Sequence, residues 1–299
     1  MKIAKRKQKK DSLIKLTKRY ANNQDECVNF FINMKWNNGF QCEKCGCTKY
    51  YHIKRGHVIQ CADSHCKHQH YLFANTIFQD CKLDLYKIIL GLYLFFTSNK
   101  GLSAMDLRTE LDVNYKTALL FNRKCRILMA ESNADKILDS MFYEADTVYI
   151  GAKSKEPGHQ GVGTDQQPFL IMLSTAKENK YPQYIKLHVM KKDESNAISS
   201  IIQKSMNLSK DRKLNTDGKT TFRPLNEYIE LNSEKIIYTE ENHRLQWLNT
   251  IVGSIKNNIL GIYRGVTKRD LPLFLNEQQW RFNHRNSGSH MIDKALKYI

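Results

Sequence analysis

Cysteine spacing gives the clearest chemical signal in this sequence. Cys42 and Cys45 form a C-x-x-C pair, and Cys61 and Cys66 follow after fifteen intervening residues. Two hairpin tips that carry such pairs can place four thiolates around one tetrahedral Zn²⁺. The sequence therefore predicts a zinc ribbon with these four ligands and a structural zinc ion. Three further residues lie close enough in the chain to replace one ligand: Cys47, His65 and His68.

Two aspartates occupy unusual places in strand-like runs. Asp146 lies in the middle of MFYEADTVYIG, at 141–151, and Asp217 ends KLNTD, at 213–217. A carboxylate in a sheet centre is costly unless it binds a cation or a partner, and a strand end can present its side chain to a cleft. Two such acids are able to bind Mg²⁺ for phosphoryl transfer. Taken singly, each is more typical of a turn cap or a surface acid.

An amide and a lysine share one face of a predicted helix. The stretch QWLNTIVGSIKNNILGIYRG, at 246–265, has one apolar stripe, formed by Leu248, Val252, Ile255 and Ile259. Asn249 and Lys256 are two turns apart on a neighbouring face, with Gly253 between them. By itself this column fits a solvated helix edge with an incidental glycine.

The region before the first aspartate resembles a helix-turn-helix unit. In GLSAMDLRTELDVNYKTALLFNRKCRILM, at 101–129, Ser103 and Asp106 form a capping box, and Asn114 can cap a second helix. We expect that helix to expose four basic residues to DNA: Lys116, Arg123, Lys124 and Arg126. An ordinary helical hairpin is the alternative.

Strand-like runs dominate the rest of the chain and alternate with helical stretches. The runs are 141–151, 168–174, 184–190, 213–217 and 235–239; the helical stretches are 194–206, about 219–230, and 243–262. A polar, Gly-containing segment at 154–167 predicts a hairpin loop. This order indicates an α/β domain with a mixed sheet. We expect four parts: a basic helical arm (1–35), a zinc ribbon (36–75), a helical helix-turn-helix domain (76–140) and a catalytic domain (141–299).

Charge indicates the class of partner. The 299 residues include 47 Lys and Arg against 30 Asp and Glu, which gives a formal net charge of +17. Such an excess favours a polyanion, because phosphates release counterions when they are neutralised. No signal peptide is recognisable, and the longest apolar run, at 88–96, is too short to span a membrane. We expect a soluble, cytoplasmic, nucleoid-associated protein that binds double-stranded DNA and no membrane.

The joint order of these parts resembles the insertion-sequence 1595 (ISXO-like) transposases. The resemblance extends from about residue 25 to residue 290. Its motifs are FANTIFQDCKLDLYKIILGLYLF, GLSAMDLRTELDVNYKTALL, EADTVYIGAK, TDGKTTFRPL, LQWLNTIVGSIKNNILGIYRGVTKRDL and FLNEQQWRFNHR.

This resemblance implies a ribonuclease-H-like domain that cuts and joins DNA with Mg²⁺ or Mn²⁺. It assigns the first two metal-binding acids to Asp146 and Asp217, and the third position to Asn249, with Lys256 seven residues later. In the family that third position is Glu, His or Asn. Two further basic residues near this helix are candidates for DNA contact, Arg264 and Lys268. Because transposition joins two ends, a homodimer or larger assembly on DNA is implied.

The sequence departs from the family pattern near the proposed site. Thr147 stands where an acid is common, Ala152 where a second glycine is usual, and Ser254 where an Asn is frequent. Two other functions compete with an active transposase. One is a catalytically inactive, transposase-derived DNA-binding regulator. The other is a zinc-ribbon transcription accessory factor, which leaves Asp146 and Asp217 without a role.

Overall fold

The computed structural model describes residues 12–287 apart from 37, 54–56, 135, 152–165, 179 and 234–244. The described chain forms two compact units: one consists of the residues up to Ser132 together with those after Arg285, and the other spans Asn133–Arg285. The start of the basic arm, nearly all of the predicted hairpin loop and the predicted run at 235–239 lie outside the described residues. Among the helices in the described ranges, none is long and apolar enough to cross a membrane.

The first unit begins with two helices and a small sheet. The helices are α1 (Leu13–Tyr20) and α2 (Gln24–Lys35); the strands are β1 (Tyr50–Ile53), β2 (Val58–Cys61) and β3 (Gln69–Tyr71). The three strands are antiparallel in the order β1-β2-β3. Such a small sheet has little apolar core, so a bound metal is an important source of its folding energy.

Three more helices complete the helical part: α3 (Leu85–Thr97), α4 (Ala104–Leu111) and α5 (Tyr115–Ala134). The predicted capping box is present, because Ser103 Oγ accepts a bond from the Asp106 N–H at 3.1 Å and donates to the Asp106 carboxylate at 2.8 Å. Asn114 Oδ1 accepts from the Thr117 N–H at 2.8 Å at the start of α5. Helix, tight turn and second helix therefore lie where the sequence indicates.

The second unit is built on a mixed five-stranded sheet. Its strands are β4 (Phe142–Ile150), β5 (Gln167–Lys177), β6 (Lys180–Val189), β7 (Lys213–Asn215) and β8 (Glu230–Asn232). Their order is β6-β5-β4-β7-β8, with β4, β5 and β6 antiparallel and β7 and β8 parallel to β4. The expected α/β, ribonuclease-H-like mixed sheet is confirmed, preceded by a zinc ribbon and a helical region.

Helices cover both faces of this sheet. They are α6 (Ser195–Ser205), α7 (Gln246–Gly261) and α8 (Leu271–Asn283), with a 3-10 helix at Thr220–Glu227. Because side chains alternate along a strand, Val148 packs with α7 and α8 on one face while Tyr143 packs with α6 on the other. Asp146 shares the strand face of Val148, so it lies on the α7 side of the sheet.

Side-chain amides of α8 cover the outer strand β6. Gln279 Oε1 accepts from the Leu187 N–H at 2.8 Å, and Asn283 pairs with both the N–H and the carbonyl of Ile185 at 2.8 and 2.9 Å. Unpaired strand edges invite pairing with other chains. These contacts satisfy part of the β6 backbone and fix α8 against the sheet.

Candidate active site and metal centre

Four thiols converge between the two turns of the ribbon. The Sγ atoms of Cys42, Cys45, Cys61 and Cys66 all lie within 4.8 Å of one another. The Cys42 and Cys66 sulfurs are 3.8 Å apart, and the Cys45 and Cys61 sulfurs are 3.5 Å apart. A thiolate tetrahedron with the usual Zn–S distance of about 2.3 Å has edges of about 3.8 Å. The structure thus brings together the four cysteines that the spacing indicates, and their geometry supports a structural zinc ion.

The two cysteine turns differ in sequence but use the same backbone conformation. Gly46 follows the first turn with a φ of +74°, and its N–H donates to the Cys42 carbonyl at 2.8 Å. Lys67 takes the same place after Cys66 with a φ of +45°. The Asp63 side chain accepts from the Cys66 N–H at 2.9 Å, which closes the longer C-x-x-x-x-C loop. The unequal spacing of the two pairs is therefore compatible with one four-sulfur cluster.

His70 contacts this cluster and was not singled out by the sequence. It is only 5% exposed, and its Nε2 lies 3.4 Å from Cys42 Sγ. An N–H directed at a metal-bound thiolate stabilises the negative charge of the sulfur. His65 and His68 are exposed, and neither belongs to the metal-competent group found among the described residues. The one available signal was strand alternation, which turns the middle residue of β3 inward.

Asp146 and Asp217 meet at the junction of two parallel strands. Glu144 of β4 pairs with Asn215 of β7, and each aspartate lies two residues further along its chain. The ammonium of Lys219 contacts both carboxylates, at 2.9 Å from Asp146 Oδ1 and 3.3 Å from Asp217 Oδ2. Carboxylate oxygens around one cation are the donors that Mg²⁺ prefers. The acid pair therefore fits the divalent metal that the sequence implies.

The Asp146 carboxyl and the Lys219 ammonium affect each other's pKa. Burial raises the pKa of the Asp146 carboxyl, while the nearby Lys219 ammonium opposes that rise. Burial lowers the pKa of Lys219, but its contacts with the two carboxylates outweigh burial and raise it overall. At neutral pH the ammonium is charged, so the site holds a cation between its acids.

The predicted apolar stripe of α7 is confirmed, and this stripe packs the helix on the sheet. Leu248 and Val252 are buried in the same core cluster as Val148 of β4. Asn249, in the first turn, is exposed, and Lys256 is half-buried two turns later. The first turn of α7 therefore packs on the sheet face that carries Asp146. Metal binding by the Asn249 amide stays a prediction.

The four basic residues expected on α5 fall into two groups. Lys116 and Arg123 are exposed. The expected exposure of Arg126 is wrong, because the side chain is 4% exposed and its guanidinium lies over the Phe95 ring at 5.7 Å. Lys124 is half-buried, and its ammonium donates to the carbonyls of Ile77 and Gln79. Arg126 and Lys124 thus stabilise the helical unit itself.

The two candidates beyond α7 have surface positions. Arg264 and Lys268 are both exposed on the segment between α7 and α8. Arg264 adopts a φ of +52°, and the next residue, Gly265, returns a backbone bond to Ile259 at 3.1 Å. This turn ends α7, and contact of either residue with DNA stays a prediction.

Comparisons with known proteins agree with this organisation. The family model of the ISXO2-like transposase domain matches residues 140–283, and that of the transposase zinc-ribbon domain matches residues 22–69. A search of curated proteins finds no relative that matches. One similar solved structure is the crystal structure of a pre-cleavage Mos1 transpososome, with 12% identity and a TM-score of 0.23 over 69% of this chain and 76% of that chain. The two family models alone decide the assignment. The chain belongs to the family of ISXO2-like, insertion-sequence 1595 transposases.

Proposed function

We propose that this chain is an active DNA transposase that binds the ends of an insertion sequence and catalyses metal-dependent strand cleavage and strand transfer. Water first attacks the phosphodiester at the element's end, and the released 3′ hydroxyl then attacks target DNA. The observation that carries this proposal is the contact of one cation with both Asp146 and Asp217, inside the part of the chain that matches the transposase domain.

The two aspartates and Asn249 have the role of metal ligands in this proposal. Asp146 is fixed by β4, and Asp217 by the end of the parallel strand β7, so rigid elements hold both carboxylates. Mg²⁺ or Mn²⁺, when bound there, supplies activation of the attacking oxygen and stabilisation of the leaving oxygen. Asn249 contributes a neutral oxygen, so the site carries one negative charge fewer than three acids would give, and we expect a high metal requirement.

Lys256 contacts a phosphate close to the scissile bond in our proposal. Its ammonium lies on α7 two turns from Asn249, and it makes no ion pair among the described residues. A lysine acts on phosphate as a point charge and needs no proton transfer for that role. Lys256 therefore orients the DNA backbone rather than carrying a proton.

DNA contacts in this proposal come from both units. Lys116 and Arg123 on α5 extend from the second helix of the helix-turn-helix unit, and Arg264 and Lys268 extend from the second unit. Phosphate contacts of this kind position a protein on the duplex, whereas base contacts give specificity. Two ends must be held together for transfer, so a homodimer or larger assembly forms on DNA.

The test uses the zinc-loaded full chain and DNA fragments that carry the terminal inverted repeats flanking its coding region. Incubation with Mn²⁺ is expected to give nicked ends and joined products. Asp217→Asn removes one metal ligand and should abolish both products while end binding, measured by mobility shift, is retained. Asp211→Asn makes the same change at an exposed acid before β7 and should leave the products unchanged.

Two outcomes would contradict the proposal. Full activity in the Asp217→Asn protein would exclude that residue as a ligand. Specific end binding with no cleavage at any Mn²⁺ concentration would identify the chain as a non-catalytic DNA-binding relative of transposases.

A further inference from the structure

Lys219 occupies the space between the two acids and was not among the residues that the sequence indicated. Its ammonium lies 2.9 Å from Asp146 Oδ1, 3.3 Å from Asp217 Oδ2 and 3.0 Å from the Thr147 carbonyl. The side chain is 34% exposed, so the site encloses it only in part. Among the described residues, this is the cation that contacts both carboxylates.

The local backbone explains how the lysine returns to an acid 73 residues earlier in the chain. Gly218 takes a φ of +83°, a conformation that side-chain-bearing residues rarely adopt. The Lys219 N–H then donates to Asp217 Oδ1 at 3.3 Å, which closes a tight turn directly after β7. The sequence Asp-Gly-Lys therefore places an acid and its counter-ion on the same side of one turn.

The Lys219 ammonium and a divalent metal ion would compete for the same space between Asp146 and Asp217. A Mg²⁺ ion requires carboxylate oxygens at about 2.0–2.1 Å and holds them in a near-octahedral shell. Asp146 Oδ1 and Asp217 Oδ2 already contact Lys219, so a divalent ion held by these two oxygens would take the place of the ammonium. Occupation of the site by a divalent ion would also bring a second positive charge against the ammonium. Metal binding by these oxygens would therefore require the ammonium to move.

We propose that Lys219 competes with the divalent metal for the acid pair. Its ammonium neutralises the two carboxylates in the metal-free protein and thereby sets the affinity of the site for metal. It is a positioning residue: it keeps the two carboxylates together before metal binds and swings out when metal binds. This inference rests on the proposed function, because it requires Asp146 and Asp217 to be the metal ligands.

Mn²⁺ affinity of the zinc-loaded full chain, measured by isothermal titration calorimetry without DNA, tests the competition. Lys219→Met keeps an unbranched side chain, one atom shorter, and removes its charge, so we expect Mn²⁺ to bind about tenfold more tightly than to the wild type. Lys213→Met is the matched control, since Lys213 pairs with Glu230 at 3.5 Å on the neighbouring strand. Its affinity should equal that of the wild type. Unchanged or weaker binding by Lys219→Met would overturn the inference.

Two further variants separate charge from folding and separate this inference from the proposed function. Lys219→Arg keeps the charge and should bind Mn²⁺ no more tightly than the wild type; binding as tight as that of Lys219→Met would show that charge is not the cause. Asp217→Asn should abolish binding. If Asp217→Asn binds like the wild type, the proposed metal site is wrong. If Asp217→Asn loses binding while Lys219→Met matches the wild type, only the competition is wrong.

Discussion

His70 lies between the zinc cluster and the aromatic core of the ribbon. Its Nε2 faces Cys42 Sγ at 3.4 Å, and its ring packs edge-to-face on Phe40 at a centroid distance of 5.2 Å. Residues that hydrogen-bond to a metal ligand orient it and raise metal affinity. The His70 side chain thus contacts both a zinc ligand and the aromatic core of the ribbon.

We predict that His70→Ala lowers zinc affinity by about 10–100-fold, because the Cys42 thiolate loses a donor and the core loses an aromatic ring. Competition with a chromophoric chelator measures this change. His65→Ala removes an exposed imidazole from the same loop region and should retain zinc like the wild type. An equal loss in both variants, or no loss in His70→Ala, would contradict a specific role of His70.

Glu144 is a buried acid whose raised pKa makes the stability of the fold depend on pH. It is 1% exposed, and no hydrogen bond of normal geometry reaches either carboxyl oxygen within the described residues. Burial raises its pKa from 4.5 to about 7, against a smaller opposing effect of the Leu248 backbone amide. The folded protein therefore binds a proton at this site that the unfolded chain has already lost between about pH 4.5 and 7.

The sign of the resulting pH dependence follows from this difference. Because the folded state holds more protons, the free energy of unfolding should fall as pH rises across that window and level off above about pH 7. The total contribution is about 3 kcal/mol at most. Glu144→Gln stays neutral and should show a flatter profile than the wild type in urea unfolding between pH 5 and 8. Parallel profiles would mean that the carboxyl is ionised in the fold.

At the scale of elements, α7 combines a packing face with an open face. Leu248, Val252, Ile255 and Ile259 are buried, as their spacing predicts. Gly253 lies in the middle of this helix, and a Cβ built there would meet nothing within 4 Å. The fold itself gives no steric reason for glycine at this position. Close approach of DNA is the reason that fits our proposed function.

Two substitutions at this glycine test that reason. Gly253→Ala should raise the free energy of unfolding by about 0.5–1 kcal/mol, since glycine in a helix interior is less favourable than alanine. Gly253→Leu should fold but cleave ends poorly, because its side chain projects into the space of the DNA. Gly261→Leu is the control, as the end of α7 is equally open. Unchanged cleavage by Gly253→Leu would refute close approach.

Sequence patterns located most elements of the second unit, and the exceptions have physical causes. The long strands β4, β5 and β6 carry strong apolar runs, and all three were located. Strand β8, Glu230–Asn232, was not predicted, because it has only three residues without a clear alternation; the run predicted at 235–239 lies outside the described residues. The helix expected at about 219–230 is a 3-10 helix at Thr220–Glu227, and Pro224 inside it lacks the N–H that an α-helix needs.

Tertiary contacts explain why parts of the sites were missed. The burial of Arg126 depends on Phe95, a residue of another helix, and periodicity along α5 alone cannot show that contact. Lys219 reaches Asp146 only because Gly218 turns the chain back after β7. The four cysteines, in contrast, could be assigned from spacing, since a tetrahedral ion restricts which pairs can converge.

At the scale of the whole molecule, charge is the property that most affects DNA binding. The net charge of +17 is unevenly distributed, and residues 1–10 alone contain six basic residues and no acid. Each phosphate that a protein neutralises on duplex DNA adds about −0.9 to the slope of log affinity against log salt. Residues 1–10 should therefore contribute to the affinity for DNA without contributing to the chemistry of the acid pair.

Deletion of residues 2–10 tests whether these residues affect DNA affinity but not cleavage. We predict that the shortened chain binds end DNA with a salt slope smaller in magnitude by up to about 5, if all six basic residues contact phosphate. Fluorescence anisotropy across a KCl series measures the slope. Cleavage at DNA concentrations that saturate both proteins should stay equal, because both acids lie in the second unit. Equal slopes for the two proteins would show that residues 2–10 do not bind phosphate. If the slopes are equal and cleavage is lost, these residues act in assembly of the active complex instead.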